Sequence, residues 1–266
     1  MSVHYKNPPL IELIAEFRWD PDEVNPPIHS QQAGPIQFQL VDPSVQEAFY
    51  SRFGDACHAL GFTYTERLLP PGMAAQLGQP MYRYRSDTDS VIAQVGNGIA
   101  TVNALPPYNS WDGFAPKVSE LVSVLLETRG SATPFESVSV RYLNAFGSRF
   151  LQGKTPFEYG RDVLGFSFAY PSAVKSLLDP ASPTQFAGSF AFATKDGLQV
   201  QLQVSEGFVN NEPAFILDMT ARSGNSINPD RDAVMDVLNR AHLVIHKIFV
   251  DATESQREIL EPVGKE

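Results

Sequence analysis

The chain has 266 residues, enough for two modest domains or one large one, and its 43% apolar content can fill a sizeable core. A formal charge of −10 argues against a general nucleic-acid binder, because phosphate contacts need clustered Lys and Arg. Cys57 is the single cysteine, which excludes an intrachain disulfide and any cysteine-built zinc or iron centre.

Met1 to Asn7 lacks a basic region followed by an apolar stretch, so no signal peptide is expected. No apolar run approaches the roughly 20 residues of a spanning helix. The expectation is a cytoplasmic protein without membrane contact and without a cofactor.

From Leu10 to Trp19 the residues alternate. Ile11, Leu13, Ala15, Phe17 and Trp19 share one face, and Glu12, Glu16 and Arg18 share the other, as in a strand with one buried side. Residues 20–43 are rich in Pro, Asp and Gln and are expected to form a loop. Ser44 to Leu60 suits a helix, with Asp42 or Ser44 as N-cap and Gly61 as stop. Phe62 to Leu69 and Met81 to Arg85 suit strands on either side of a Pro70-Pro71-Gly72 break. Val91 to Val95 and Ile99 to Leu105 flank Gly96-Asn97-Gly98, a turn whose residues tolerate the positive φ of tight hairpins. A helix over Ser110 to Thr128 carries Phe114, Val118, Leu121, Val122 and Leu125 in one apolar stripe and ends at Gly130. Ser137 to Phe146 is a strand with Val138, Val140, Tyr142 and Phe146 on one face.

Pro156 to Leu164 suits a short helix. Phe186 to Thr194 and Leu198 to Val204 make a hairpin around Lys195-Asp196-Gly197. In its second strand Leu198, Val200, Leu202 and Val204 alternate with Gln199, Gln201 and Gln203, so one face is buried and the other is wet or lines a polar cleft. Ala214 to Arg222 is the next strand. The last helix, Asp230 to Thr253, carries Val234, Val237, Leu238, Ala241, Val244, Ile245, Ile248 and Phe249 in a broad stripe.

Residues 91–129 and 186–252 share an element order: hairpin strands closed by one long amphipathic helix. The expected fold class is therefore α+β with two pseudo-repeated halves, each a mainly antiparallel sheet packed against one long helix. The halves are 1–147 and 148–266, tightly packed together.

Signatures of chemistry are sparse. His242 and His246 stand four apart, the spacing of helical zinc sites, but no Glu and no third ligand accompany them, so packing rather than metal binding is expected. Cys57 beside His58 on a helix does not aim at it, which disfavours a nucleophile–base pair. There is no phosphate-cradling Gly-rich loop and no Gly-x-Ser-x-Gly elbow. Tyr108, Trp111 and Phe114 suit an anchor between loop and core. Charges on strands remain: Glu12, Glu16, Arg18, Arg141, Asp218 and Arg222. They form either a solvent-facing surface of cross-strand pairs or a polar cleft, and a buried Glu12–Arg141 pair would be costly unless fully hydrogen-bonded.

The run Tyr5-Lys6-Asn7-Pro8-Pro9-Leu10-Ile11-Glu12, followed by Glu16-Phe17-Arg18, resembles the opening of a sporadically distributed bacterial family of unknown function. Further marks follow in order: Gln94-Val95-Gly96 leading to Val102-Asn103, Tyr108-x-x-Trp111-x-x-Phe114, and Arg141-Tyr142-Leu143-Asn144. Phe215-Ile216-Leu217-Asp218 and Ala241-His242 running to Phe249 complete them. The resemblance implies a shared fold and carries no activity. Patchy distribution implies transfer between genomes and an accessory or defence-type role. His246 is not among the family's marks.

The reading favoured is a non-enzymatic binding or interaction protein whose partner is another protein, with homo-oligomers also allowed. Glu12, Arg18, Arg141, Asn144 and Asp218, near the meeting of the two halves, are the candidate ligand- or partner-binding residues. One rival is an enzyme using Glu12 or Asp218 as general base in a cleft. Another is an antitoxin-like protein whose acidic surface docks a basic partner.

Overall fold

A computed structural model describes residues 4–21, 29–33, 36–40, 43–70, 73, 75–86, 90–108, 110–130, 133–167, 172–175, 177 and 185–263. In chain order the elements are β1 (His4–Tyr5), β2 (Leu10–Arg18), β3 (His29–Ala33), β4 (Ile36–Leu40), α1 (Pro43–Ala59), β5 (Tyr64–Arg67), β6 (Pro80–Arg85), β7 (Val91–Gly96), β8 (Ile99–Ala104) and α2 (Trp111–Arg129). The chain continues through β9 (Ser137–Phe146), α3 (Ser148–Leu151), α4 (Pro156–Asp162), α5 (Ser172–Lys175), β10 (Ala187–Ala193), β11 (Leu198–Val209) and β12 (Glu212–Ser223). It ends in α6 (Arg231–Ala252), α7 (Arg257–Leu260) and β13 (Pro262–Val263).

The architecture is α+β, built on one nine-stranded sheet of order β10-β11-β12-β9-β2-β8-β7-β6-β5. Every neighbouring pair in it is antiparallel. β2 and β9 lie side by side at its middle, so the sheet runs unbroken from residue 10 to residue 223. β1 pairs with β13, drawing the two ends of the described chain together. The stretch 20–43, expected as a loop, contains the β3–β4 hairpin. The alternation Ile36, Phe38, Leu40 is a strand pattern, but the polar His29–Ala33 run conceals its partner.

Period-two alternation decides which side of the sheet is core. Leu13, Ala15 and Phe17 of β2, Val138, Val140 and Phe146 of β9, and Phe215, Leu217, Met219 and Ala221 of β12 are buried on one face. α6 lies over β9 and β12, α1 over β6 and β7, α2 over β8, and α2 packs between the other two helices. The stripe Phe114, Val118, Leu121, Val122 and Leu125 of α2 is fully buried, as are Val234, Val237, Leu238, Ala241, Ile245 and Phe249 of α6. Each of the larger of these side chains contributes about 1.5–3 kcal/mol by leaving water. The helix ends are capped: Ser110 Oγ accepts from Gly113 N–H at 3.1 Å, Asp230 Oδ1 accepts from Ala233 N–H at 2.9 Å, and Gly130 closes α2 at φ 61°.

The Gly96-Asn97-Gly98 segment divides its work. Gly98 takes φ +69° and makes the turn, whereas Gly96 is still strand. A Cβ on Gly96 would sit 2.0 Å from the Gln79 carbonyl oxygen, so its glycine serves close backbone approach rather than turning.

Candidate functional site

The face away from the helices is where register gathers the polar side chains. Reading across the strands at one level, Gln201, Thr220, Arg141, Ile14 and Asn103 are successive cross-strand neighbours. The level next to it holds Gln203, Asp218, Leu143 and Glu12, and the level on the other side holds Gln199, Arg222, Ser139, Glu16 and Thr101. The residues in each row are brought together by pairing of distant segments.

Arg141 and Asp218 form the strongest contact on this face. Arg141 Nε donates to Asp218 Oδ1 at 2.8 Å and Nη2 to Oδ2 at 2.5 Å, the fork-to-fork geometry of a guanidinium on a carboxylate. The Asp218 side chain is 11% exposed and that of Arg141 46%, so the pair is half sunk in the sheet. Asp218 foremost, then Glu16 and Glu12, hold the guanidinium still further toward its charged form. Glu12 does not bond Arg141; its Oε1 accepts from Asn103 Nδ2 at 2.6 Å, and Thr101 Oγ1 donates to Asn103 Oδ1 at 2.6 Å. Arg18 Nε donates to Glu16 Oε1 at 2.6 Å. Arg222 Nε donates to Gln199 Oε1 at 3.0 Å.

Beside these pairs a groove of about 670 Å³ is lined from β2, β9, β10, β11 and β12, among others by Arg18, Ser139, Gln199, Gln201, Thr220 and Arg222. One groove with walls on both β2 and β10 means the sheet curls, concave on this side. Thus Glu12, Arg18, Arg141 and Asp218 share one face. Asn144 does not. Its even-numbered position on β9 turns it to the helix side, where Nδ2 donates to Leu217 O at 3.4 Å. The alternation of Val138, Val140 and Tyr142 already assigns that parity, and the RYxN run masks it by placing Asn144 close to Arg141 in sequence.

On the helix side Asn144 borders a second, small cavity of about 70 Å³, together with Tyr108, Trp111, Tyr142, His242 and His246. The Trp111 and His242 rings stack with centroids 4.7 Å apart and planes 6° from parallel. Trp111 Nε1 donates to Asn239 Oδ1 at 2.8 Å, and the Tyr142 hydroxyl meets His242 Nδ1 at 2.7 Å. Burial, and secondarily the charge of His246, push the His242 imidazole down to about 4, so it is neutral near pH 7. Burial raises Tyr142 well above its ordinary value and, with His4, lowers His246. His242 is therefore a packed core side chain, held on three sides. Among the described residues no group of three His, Cys, Asp or Glu can hold a metal ion. Cys57 is buried and its thiol is pushed up to about 12, leaving almost no thiolate at neutral pH.

Asn103 stood only among the family marks, and Thr101 and Thr220 escaped the sequence reading. Their signal was the polar phase of otherwise apolar strands, the same signal that marked Gln199, Gln201 and Gln203. No helix of the described residues is long and apolar enough to cross a membrane. No protein-family model, curated protein or solved structure matches the chain.

Proposed function

We propose that the chain is a binding or interaction protein, not an enzyme, and that it seats a polypeptide partner in the concave polar groove. The lining of that groove carries the proposal. Gln199, Gln201, Ser139 and Thr220 offer amide and hydroxyl donors and acceptors, the complement of a peptide backbone, and Arg18 and Arg222 add donors suited to carbonyls and carboxylates. The internal pairs Arg141–Asp218 and Arg18–Glu16 hold this surface in one arrangement before anything binds. The two carboxylates an enzyme would need as general base already have partners: Glu12 accepts from Asn103, and both oxygens of Asp218 accept from Arg141.

The proposal includes an architecture of two equivalent halves. Connectivity supports it. β2 is followed by the β3–β4 pair, α1 and the four-strand β5–β8 meander, whose last strand returns beside β2 and leads into α2. β9 is followed by α3, α4, α5 and the three-strand β10–β12 meander, whose last strand returns beside β9 and leads into α6. On this connectivity β9, which the expected boundary at residue 147 places in the N-terminal half, groups with the C-terminal strands. Membership of the sporadically distributed family, and with it an accessory role, is part of the same proposal and rests on the order of the sequence marks.

A photo-crosslinking side chain at Gln201, in the groove, should capture a polypeptide in cells of the native host, and the same group at Leu243, exposed on α6, should not. Capture should disappear when Arg18 and Arg222 are both changed to Glu. Equal yields from the two positions, or none from position 201, would overturn the assignment.

A further inference from the structure

The two edges of the nine-stranded sheet are built differently. β5, at one end, has four residues, two of them charged: Glu66 lies 3.4 Å from Arg83, and Arg67 lies 3.0 Å from Glu47. Short length and charge are the usual means of protecting an edge from pairing with another chain. β10, at the other end, has neither. Its seven residues, Ala187-Gly188-Ser189-Phe190-Ala191-Phe192-Ala193, contain no charge and no proline and pair with β11 without a bulge. Phe190 and Phe192 are 41% and 46% exposed. Among the described residues no strand pairs with the outer side of β10.

The hydrogen-bond phase shows which backbone groups that side presents. Glu206 N–H donates to Phe186 O, and Thr194 N–H donates to Leu198 O, so the even-numbered residues of β10 bond to β11. The N–H and C=O groups of Ala187, Ser189, Ala191 and Ala193 therefore point outward. That row is symmetric about Phe190.

We infer that β10 is a self-pairing edge, and that its occupant is β10 of a second copy of this chain, joined antiparallel about a twofold axis at Phe190. In that register Ser189 faces Ala191 of the second copy, and Ala187 faces Ala193. The four outward residues of each strand exchange about eight N–H···O bonds. Phe190 meets Phe190. Phe192 lies opposite Gly188, whose missing side chain leaves room for the ring. The opposite face of the strand brings together only Ala and Ser. An isologous contact of this kind needs a surface complementary to itself, which this alternation supplies. Charge does not oppose this contact locally: copies of a chain with net charge −10 repel one another, but β10 carries no charge, so two copies meet there with no like charges opposed. The strand offers no charge that an acidic or basic partner would recognise.

Sedimentation of the full chain over a wide concentration range tests this, combined with hydrogen exchange. The expected result is a reversible dimer, with Ser189 and Ala191 amides protected in proportion to the dimer fraction. Ala191→Pro removes an outward N–H and no bond to β11, and Ser189→Lys places like charges at the junction. Each should raise the dimer dissociation constant at least about tenfold while the circular dichroism spectrum is retained, and Thr65→Lys on β5 should leave it unchanged. A chain that stays monomeric throughout overturns the inference. So does a dimer indifferent to both β10 variants, or protection of the Ser189 and Ala191 amides in the monomer.

Discussion

Along β12, Phe215, Leu217, Met219 and Ala221 turn to the helices and are almost wholly buried, while Asp218, Thr220 and Arg222, one position away, turn to the other side. The same backbone ladder thus supports two surfaces governed by different energetics. On the helix side, contacts are dense and apolar, and a lost side chain leaves a cavity. On the groove side, partners are polar, half in water, and replaceable by water. Stability should reside on the first face and recognition on the second, so substitutions on the second should alter binding at little cost to folding.

The largest test of that contrast is Phe146→Ala. Phe146 is fully buried among the rings of Phe150, Tyr159, Phe215 and Phe249, and its truncation should cost about 3–5 kcal/mol in chemical denaturation. A loss below about 1 kcal/mol would erase the difference between the faces.

Acid provides the next. His242 is held near 4 in the folded chain, below the roughly 6.5 of an unfolded one, so the unfolded state binds more protons. Its contribution should be intact above about pH 6.5, fall as pH drops toward 4, and level off below. The full loss amounts to about 3 kcal/mol. Urea midpoints at pH 7 and pH 4.5 should differ more for the native chain than for His242→Gln, with His246, depressed for the same reason, adding in the same direction.

Breaking the main pair of the open face should matter less. Arg141→Ala strands the mostly buried Asp218 carboxylate and should cost about 1–2 kcal/mol, with Asp218→Ala costing less, because Arg141 remains half in water. A double-mutant cycle by thermal unfolding measures the coupling. If Arg141→Ala destabilised as much as Phe146→Ala, the open face would be core in all but name. Smallest of all, Gln199→Ala and Gln201→Ala should stay within about 0.5 kcal/mol of the native chain while weakening partner capture.

Much of the fold was legible residue by residue. The stripe of α2 and most of that of α6 are buried as their periodicity requires, and the alternations in β9, β11, β12 and β2 from Leu13 onward assign the faces. At the start of β2 an irregularity between Leu10 and Glu12 breaks the phase, so Leu10 is buried and Ile11, expected on the buried face, is exposed. The β3–β4 hairpin was not, because a Gln-rich strand carries no apolar alternation to announce it. For the candidate site, the charged residues could be assigned to faces, but their partners could not: Glu12 was weighed against Arg141 and bonds Asn103 instead.

Local periodicity, turn glycines and caps are properties of neighbouring residues, so the chain written as letters was enough to place the strands of the large sheet and the two long helices that carry apolar stripes, α2 and α6. Arg141 meets Asp218 across 77 positions, and Trp111 meets Asn239 across 128. Such contacts depend on which strands pair, in which register, and on how far the sheet curls. Those choices are made by the summed burial of the whole core, and no short stretch of sequence contains them. The groove and the unprotected edge of β10 exist only once that order of strands is formed.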